Sequence, residues 1–215
     1  MIIVEKITNT LRQEILNNTL QQGEPLSENV LAKRFKTSRT PVREAIRKLE
    51  NDRLVQIIQG RGAIVSMMDY SQLAYVFEVR IVLEPLAAES SFVFLRQPEI
   101  TMLEEQWLNL EDRVRRQDDE MMQNIAKLDR ETHHFFTHKT PNPWLRTFLS
   151  TLEIQVARMQ NLAASGLGEA TESIRQHLEL VSLLKSGDRE AFISALRNHI
   201  IISESYVASN MDLNR

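Results

Sequence analysis

The sequence predicts a mostly α-helical chain in two parts: an N-terminal winged helix-turn-helix and a C-terminal antiparallel bundle of about six helices. Three observations carry this. Residues 38–49 form an amphipathic helix with a basic stripe, and a second short amphipathic helix precedes it across a two-residue link. Two β-rich runs follow, Leu54-Val55-Gln56-Ile57-Ile58 and Ala63-Ile64-Val65, flanking Gln59-Gly60-Arg61-Gly62. Gly in so short a link reads as a hairpin. Beyond Asp69 there is helical periodicity punctuated by Gly and Pro, and no strand pattern.

Composition narrows the function classes. A length of 215 residues fits one or two domains, and an apolar share of 42% is ample for a core. There is no cysteine, so neither a disulfide framework nor a thiolate metal site can be drawn. No apolar run approaches the roughly 18 residues of a membrane span. Met1-Ile2-Ile3-Val4-Glu5-Lys6 lacks the basic and apolar segments of a signal peptide. A cytoplasmic location with no membrane partner is expected. The net charge of −3 hides an asymmetry: residues 1–66 hold 11 Lys and Arg against 7 Asp and Glu, and the remainder 15 against 22. A basic head on an acidic body fits a nucleic-acid-binding unit attached to something else. The two domains are drawn at residues 1–66 and 69–210.

The first helix covers residues 4–18, with Val4, Ile7, Leu11, Ile15 and Leu16 on its buried side. Residues 27–35 make the first helix of the helix-turn-helix, carrying Val30, Leu31 and Phe35, and Lys36-Thr37 is the tight link. In the second helix Val42, Ala45, Ile46 and Leu49 share the buried face. Arg39, Arg43 and Arg47 recur at i, i+4 and i+8 beside Thr40, and the two stripes are centred about 110° apart. Ser38 suits the N-cap, and Pro41 is tolerated in a first turn. A helix start rich in hydroxyls and arginines suits phosphate oxygens and base edges. Taken alone, the same stripe also fits a solvated basic face.

Residues 66–68 form a short linker. The bundle helices follow at 71–95, interrupted by Pro85, then from Pro98 to 117, and at 121–138, ended by Pro141-Asn142-Pro143. The next covers 144–164. Gly166-Leu167-Gly168 separates it from 170–185, and Ser186-Gly187-Asp188 leads into 189–208. Met102, Leu103, Trp107 and Leu110 are expected in the core.

Gly23 through Val65 resembles the DNA-binding domain of the GntR family of bacterial transcription regulators. The resemblance rests on Pro25-Leu26-Ser27-Glu28, Leu31-Ala32, the specific run Ser38-Arg39-Thr40-Pro41-Val42-Arg43-Glu44-Ala45, Leu49, Leu54-Val55 and Gly60-Arg61-Gly62. It implies operator contacts from Ser38, Arg39, Thr40, Arg43 and Arg47 on the recognition helix and from Gly60 and Arg61 on the wing. Lys36 and Thr37 depart from the family's Gly and Val, so a small backbone strain is expected in the turn.

The bundle carries polar residues inside apolar stripes. Asp129 and His133, at i and i+4, share a face with Met122, Ile125 and Phe136. His177 lies amid Ile174, Leu178, Val181 and Leu184, and His199 amid Phe192, Ala195, Leu196 and Tyr206. A buried carboxylate is costly unless paired or on a metal, and three imidazoles with one carboxylate suit a divalent transition metal. The residues alone leave other readings open: hydrogen-bonded core histidines, an Asp129 ion pair with Lys127 or Arg130, or a role for the second i, i+4 pair, His134 and His138, which falls off this stripe.

The later segment also resembles the FCD ligand-binding domain of the FadR-like branch of that family, through Asp129-x-x-x-His133, His177, His199, Arg80-Ile81-Val82-Leu83-Glu84-Pro85, Asn142-Pro143 and Ser186-Gly187-Asp188. The resemblance implies one divalent ion on Asp129, His133, His177 and His199, zinc first, with nickel, manganese and iron compatible. Thr132 departs from the aromatic residue usual before that His. Arg80 is a candidate to hold an effector carboxylate, and an i, i+4 pair with Glu84 competes with that reading. Together these imply a homodimeric regulator, a repressor by expectation, that binds double-stranded operator DNA and responds to a small carboxylate metabolite. Two alternatives remain: a metal-dependent hydrolase or lyase with a nucleic-acid-binding appendage, for which no spare general base can be placed, and a regulator that senses the metal itself.

Overall fold

The structure is a computed structural model that describes residues 2–116, 121–163 and 167–210, apart from the side chains of 121–123 and 167–169. Met122 and Gly166, named above for the metal-site stripe and for a helix link, therefore lie outside what is described.

The N-terminal unit is built from α1 (Ile3–Leu16), β1 (Pro25–Leu26), α2 (Glu28–Arg34), α3 (Arg39–Asn51), β2 (Val55–Ile58) and β3 (Gly62–Val65). The β2–β3 hairpin pairs Val55 with Val65 and Ile58 with Gly62, and β1 adds to the other edge of β3, giving the order β1-β3-β2. The two-residue β1 was not foreseen, being too short to show alternation. The core joins Ile7, Leu11 and Ile15 of α1 to Val42, Ala45, Ile46 and Leu49 of α3. Leu31 and Ala32 face it from α2, whereas Val30, expected there, is exposed. The helix-turn-helix link closes through Lys36 in the left-handed region, φ 52°. A Cβ is disfavoured there, which is the strain expected where Gly is usual. Ser38 occupies the N-cap with extended backbone but its hydroxyl makes no cap bond. Pro41 stands third in the helix, where a cap would look for an N–H, and has none to give.

The bundle comprises α4 (Tyr70–Ser91), a 3₁₀ turn (Phe92–Phe94), α5 (Gln97–Arg115), α6 (Met121–Thr137), α7 (Pro143–Leu162), α8 (Leu167–Ser186) and α9 (Arg189–Asn210). Leu167 and Gly168 open α8 rather than separating it from α7. Pro85 does not interrupt α4, which runs unbroken past it. A proline four residues on leaves the Ile81 carbonyl without its helical donor, and Arg197 of α9 supplies one, Nη1 to O at 3.2 Å. On α5 Leu103, Trp107 and Leu110 are buried with Ile100, while Met102 points to solvent. α6 packs against α4, α5, α7 and α8, so its inward side chains sit at the centre of the bundle.

The linker is tied at both ends. Ser66 N–H donates to the Leu54 carbonyl at 3.0 Å, Met68 N–H donates to Gln22 Oε1 at 2.7 Å, and the Met68 side chain joins the bundle core. α7 braces the N-terminal unit. Ile154 packs on its core, Gln155 donates to the Asp52 carbonyl at 2.6 Å, Asn161 to the Leu16 carbonyl at 2.8 Å, and Arg158 to the Ser66 carbonyl.

Candidate functional site

The residues expected to touch DNA are all at the surface. Ser38, Arg39, Thr40, Arg43 and Arg47 of α3 are all exposed, as are Gly60 and Arg61 at the hairpin tip. Gly60 and Gly62 take φ of 77° and 88°, a conformation that glycine adopts without cost, and Arg61 is presented between them. The arginines are held meanwhile by one carboxylate. Arg43 makes a two-pronged pair with Glu28 of α2, 2.8 Å from each oxygen, and Arg39 stands 3.7 Å from the same group. So exposed a pair is screened by solvent and weak, and a phosphate or a guanine edge can replace it.

The second site is buried. Asp129, His133, His177 and His199, from α6, α8 and α9, bring one ligand atom each within 4.8 Å of one another. The outward partners assign the tautomers. His133 Nδ1–H donates to Glu84 Oε2 at 2.6 Å, His177 Nδ1–H to the Ser173 carbonyl at 2.8 Å, and His199 Nδ1–H to Gln176 Oε1 at 2.8 Å. The Gln176 amide is itself oriented, its Nε2 donating to Glu172 at 2.7 Å. A histidine bound outward through Nδ1–H directs an Nε2 lone pair inward.

Three Nε2 atoms and Asp129 Oδ1 therefore converge. The His133 and His199 Nε2 atoms are 3.1 Å apart. Asp129 Oδ1 is 3.1 Å from His177 Nε2, 3.9 Å from His133 Nε2 and 4.0 Å from His199 Nε2. His177 Nε2 is fully buried and has no hydrogen-bond partner. Burial disfavours the Asp129 charge, but His177, His133 and Arg80 outweigh it and hold the carboxyl well below its ordinary range. Burial, then neighbouring positive charge, pushes His199 well below the usual imidazole value. An ionised carboxylate beside a neutral imidazole is the state a divalent cation requires.

The ion pair of the alternative reading, Asp129 with Lys127 or Arg130, is absent among the described residues: Lys127 pairs with Glu131, and Arg130 donates to Gln160. Asp129 Oδ2 instead accepts from Gln160 Nε2 of α7 at 2.7 Å. Arg80 is almost fully buried, with its Nε 2.6 Å from Glu84 Oε1 and its Nη2 3.3 Å from both His133 nitrogens. It thus makes the i, i+4 pair with Glu84, and Nη1 is left without a partner. Sequence reasoning missed Gln160, Gln176 and Trp107. The Trp107 ring stacks on His177 at 4.2 Å and 13°, and its Nε1–H donates to Thr132 at 3.0 Å. The unusual Thr132 is therefore the acceptor that seats this ring. Beside the cluster lies a cavity of about 230 Å³, reached by Asp129, Gln160, Gln176, His199, Ser203 and Tyr206.

Known proteins share this architecture. Residues 3–65 match the model of bacterial regulatory proteins of the gntR family, and residues 75–201 that of the FCD domain. The chain is 28% identical over 183 residues to the HTH-type transcriptional regulator YdhC of Bacillus subtilis (strain 168), covering 85% of this chain and 81% of that protein. It is 27% identical over 202 residues to the HTH-type transcriptional repressor RspR of Escherichia coli (strain K12), covering 94% and 87%. Among solved structures, E. coli McbR/YncC has the same fold, with a TM-score of 0.79 at 21% identity over 97% of this chain and 98% of that one.

Proposed function

Because the chain belongs to the GntR family of bacterial regulatory proteins and carries an FCD domain, we propose that it is a homodimeric repressor whose operator affinity is set by a small organic acid anchored on a divalent metal ion. That it is a DNA-binding transcription regulator and not an enzyme follows from the family. The step to repression rests on RspR, which is named a repressor.

One observation carries the metal: three imidazole nitrogens and a carboxylate oxygen meet in a buried space, each imidazole fixed from behind. Asp129, His133, His177 and His199 would hold the ion, zinc first by the chemistry of the set, with nickel, manganese and iron compatible. When bound, the ion supplies open positions for a carboxylate oxygen. The cavity beside Asp129 and His199 offers room for the rest of such a molecule, and Arg80 keeps one donor, Nη1, for a second carboxylate oxygen. The chain divides at residues 1–66 and 69–210 into reading and sensing units. The dimer axis runs through the sensing unit, where α4 packs on α7 and the two leave Val79, Val82, Leu86, Trp144 and Phe148 exposed. Ligand closure on the cluster changes the spacing of the paired recognition helices.

The test is operator binding by the chelator-treated chain, titrated with zinc alone and then with zinc plus a panel of small carboxylates. A shift of affinity that needs both components supports the reading. A full shift with zinc alone makes the metal the signal, and no shift with either removes the cluster from regulation.

A further inference from the structure

Outside the buried cluster, a second group of ligand atoms spans two helices. His134 and His138 sit one turn apart on α6, and Glu153 faces them from α7. Each His Nδ1 is 3.3 Å from Glu153 Oε1, and the three ligand atoms lie within 4.8 Å of one another. The two imidazole rings are stacked with centroids 3.6 Å apart. Glu153 and His138 are partly covered, and His134 is exposed.

The spacing admits two ways of holding these groups, a long hydrogen bond to the Glu153 carboxylate or donors gathered on one ion. A charge-assisted N–H to carboxylate bond closes to about 2.7–2.9 Å. Two donors on one tetrahedral zinc, each about 2.0–2.1 Å from the ion, are separated by about 3.3–3.4 Å. Both histidines stand at the second distance from the same oxygen. On the far side of the ring, His138 Nε2 lies 3.5 Å from the Ser150 hydroxyl, where the free N–H of a ligating imidazole finds an acceptor, while Thr137 Oγ1, 3.3 Å from His138 Nδ1, has to give up that contact to the ion.

We propose that His134, His138 and Glu153 form a second divalent metal site, for zinc or another imidazole-preferring ion, that clamps α6 to α7. It offers three protein ligands and leaves a position to water, so it fills after the four-ligand buried site. Its place gives it leverage. Glu153 is followed by Ile154 and Gln155, which grip the N-terminal unit, and His134 follows His133 of the buried cluster. An ion here stiffens the junction between the sensing helix and the bracing helix.

The experiment is equilibrium dialysis of the untagged, chelator-treated full chain against rising zinc, with bound zinc counted by mass spectrometry. Two ions per chain are expected, in two steps. His134→Gln with His138→Gln abolishes the weaker step and keeps the tighter one, and circular dichroism checks that this variant is folded. Glu153→Gln weakens the second step at least tenfold, because the clamp loses its ligand from α7. A single ion in both the wild type and the double variant overturns the proposal, as does a second ion that survives in the double variant. A second step unmoved by Glu153→Gln overturns the clamp. One ion in the wild type that is lost in the double variant supports this site and counts instead against the buried one.

Discussion

Each buried imidazole of the cluster owes its orientation to one residue behind it, and Glu84 bears the greatest load. Burial raises the cost of its charge, but Arg80 and His133 outweigh that and hold its carboxyl at about 2 against an ordinary 4.5. A group with a depressed folded-state value stabilises the fold above its unfolded value and loses that contribution as pH falls toward the folded one. For the metal-free chain this places a loss of stability between about pH 4.5 and 2, worth on the order of 3 kcal/mol. Urea midpoints measured across that window should fall steeply for the wild type and more shallowly for Glu84→Gln, which has no carboxyl to protonate. Equal slopes would show that the pair does not govern acid stability. Glu84 was legible only as a partner for Arg80, four residues earlier in a helix. That its second oxygen accepts a hydrogen bond from His133, on another helix, is a tertiary fact with no local periodicity to announce it. Asp129, His133, His177 and His199 were legible because polar residues on otherwise apolar stripes are conspicuous. Gln160 and Gln176 were not, since a glutamine beside such a stripe looks like any boundary residue.

At the scale of elements, α7 links the cluster to the DNA-reading unit. Gln160 holds Asp129 from one side of this helix, and Asn161, Arg158 and Gln155 bond backbone carbonyls of the N-terminal unit from another. Changes around Asp129 therefore have a route to the reading unit through this helix. Gln160→Ala should leave the buried ion bound, because Oδ1 rather than Oδ2 faces the histidines. The same change should reduce the effect of metal and carboxylate on operator affinity, and measuring zinc content and operator binding on one preparation separates the two. An undiminished response would assign the coupling to another route. Periodicity located the helices because each buries one stripe. It failed where single residues decide: Pro85 was read as an interruption, yet Arg197 serves the carbonyl that proline frees, and Met102 and Val30 are apolar residues on outward faces. The buried stripe of the recognition helix was legible, Val42, Ala45, Ile46 and Leu49 being its buried residues, though the helix runs from Arg39 to Asn51 rather than over 38–49. Its Ser38 cap was not, because the outcome turned on Pro41 lacking an N–H.

For the whole molecule, the question is how one reading unit gains enough affinity. A single helix-turn-helix covers few base pairs, and two-fold pairing matches it to a palindromic site. The N-terminal unit buries most of its apolar residues in its own core, with Ile2, Ile3, Val30 and Ile57 as exceptions. The bundle does not: on α4 Val79, Val82 and Leu86 are 44–55% exposed, and on the adjoining α7 Trp144 and Phe148 are 70% and 53% exposed. Apolar side chains gathered on packed neighbours mark an interaction surface, and one patch meeting its own copy about a two-fold axis closes the assembly. Replacing Val82 and Leu86 together by Glu puts like charges face to face across that axis, while both side chains already meet water in the monomer. Light scattering should then show a monomer at micromolar concentration where the wild type is a dimer, with an unchanged circular dichroism spectrum. Operator affinity should fall sharply on a two-half-site fragment and little on a single half-site, since the recognition helix itself is untouched. A variant that stays dimeric would move the axis to another face, Val93 and Phe94 of the 3₁₀ turn and Ile201 and Ile202 of α9 being further exposed apolar pairs.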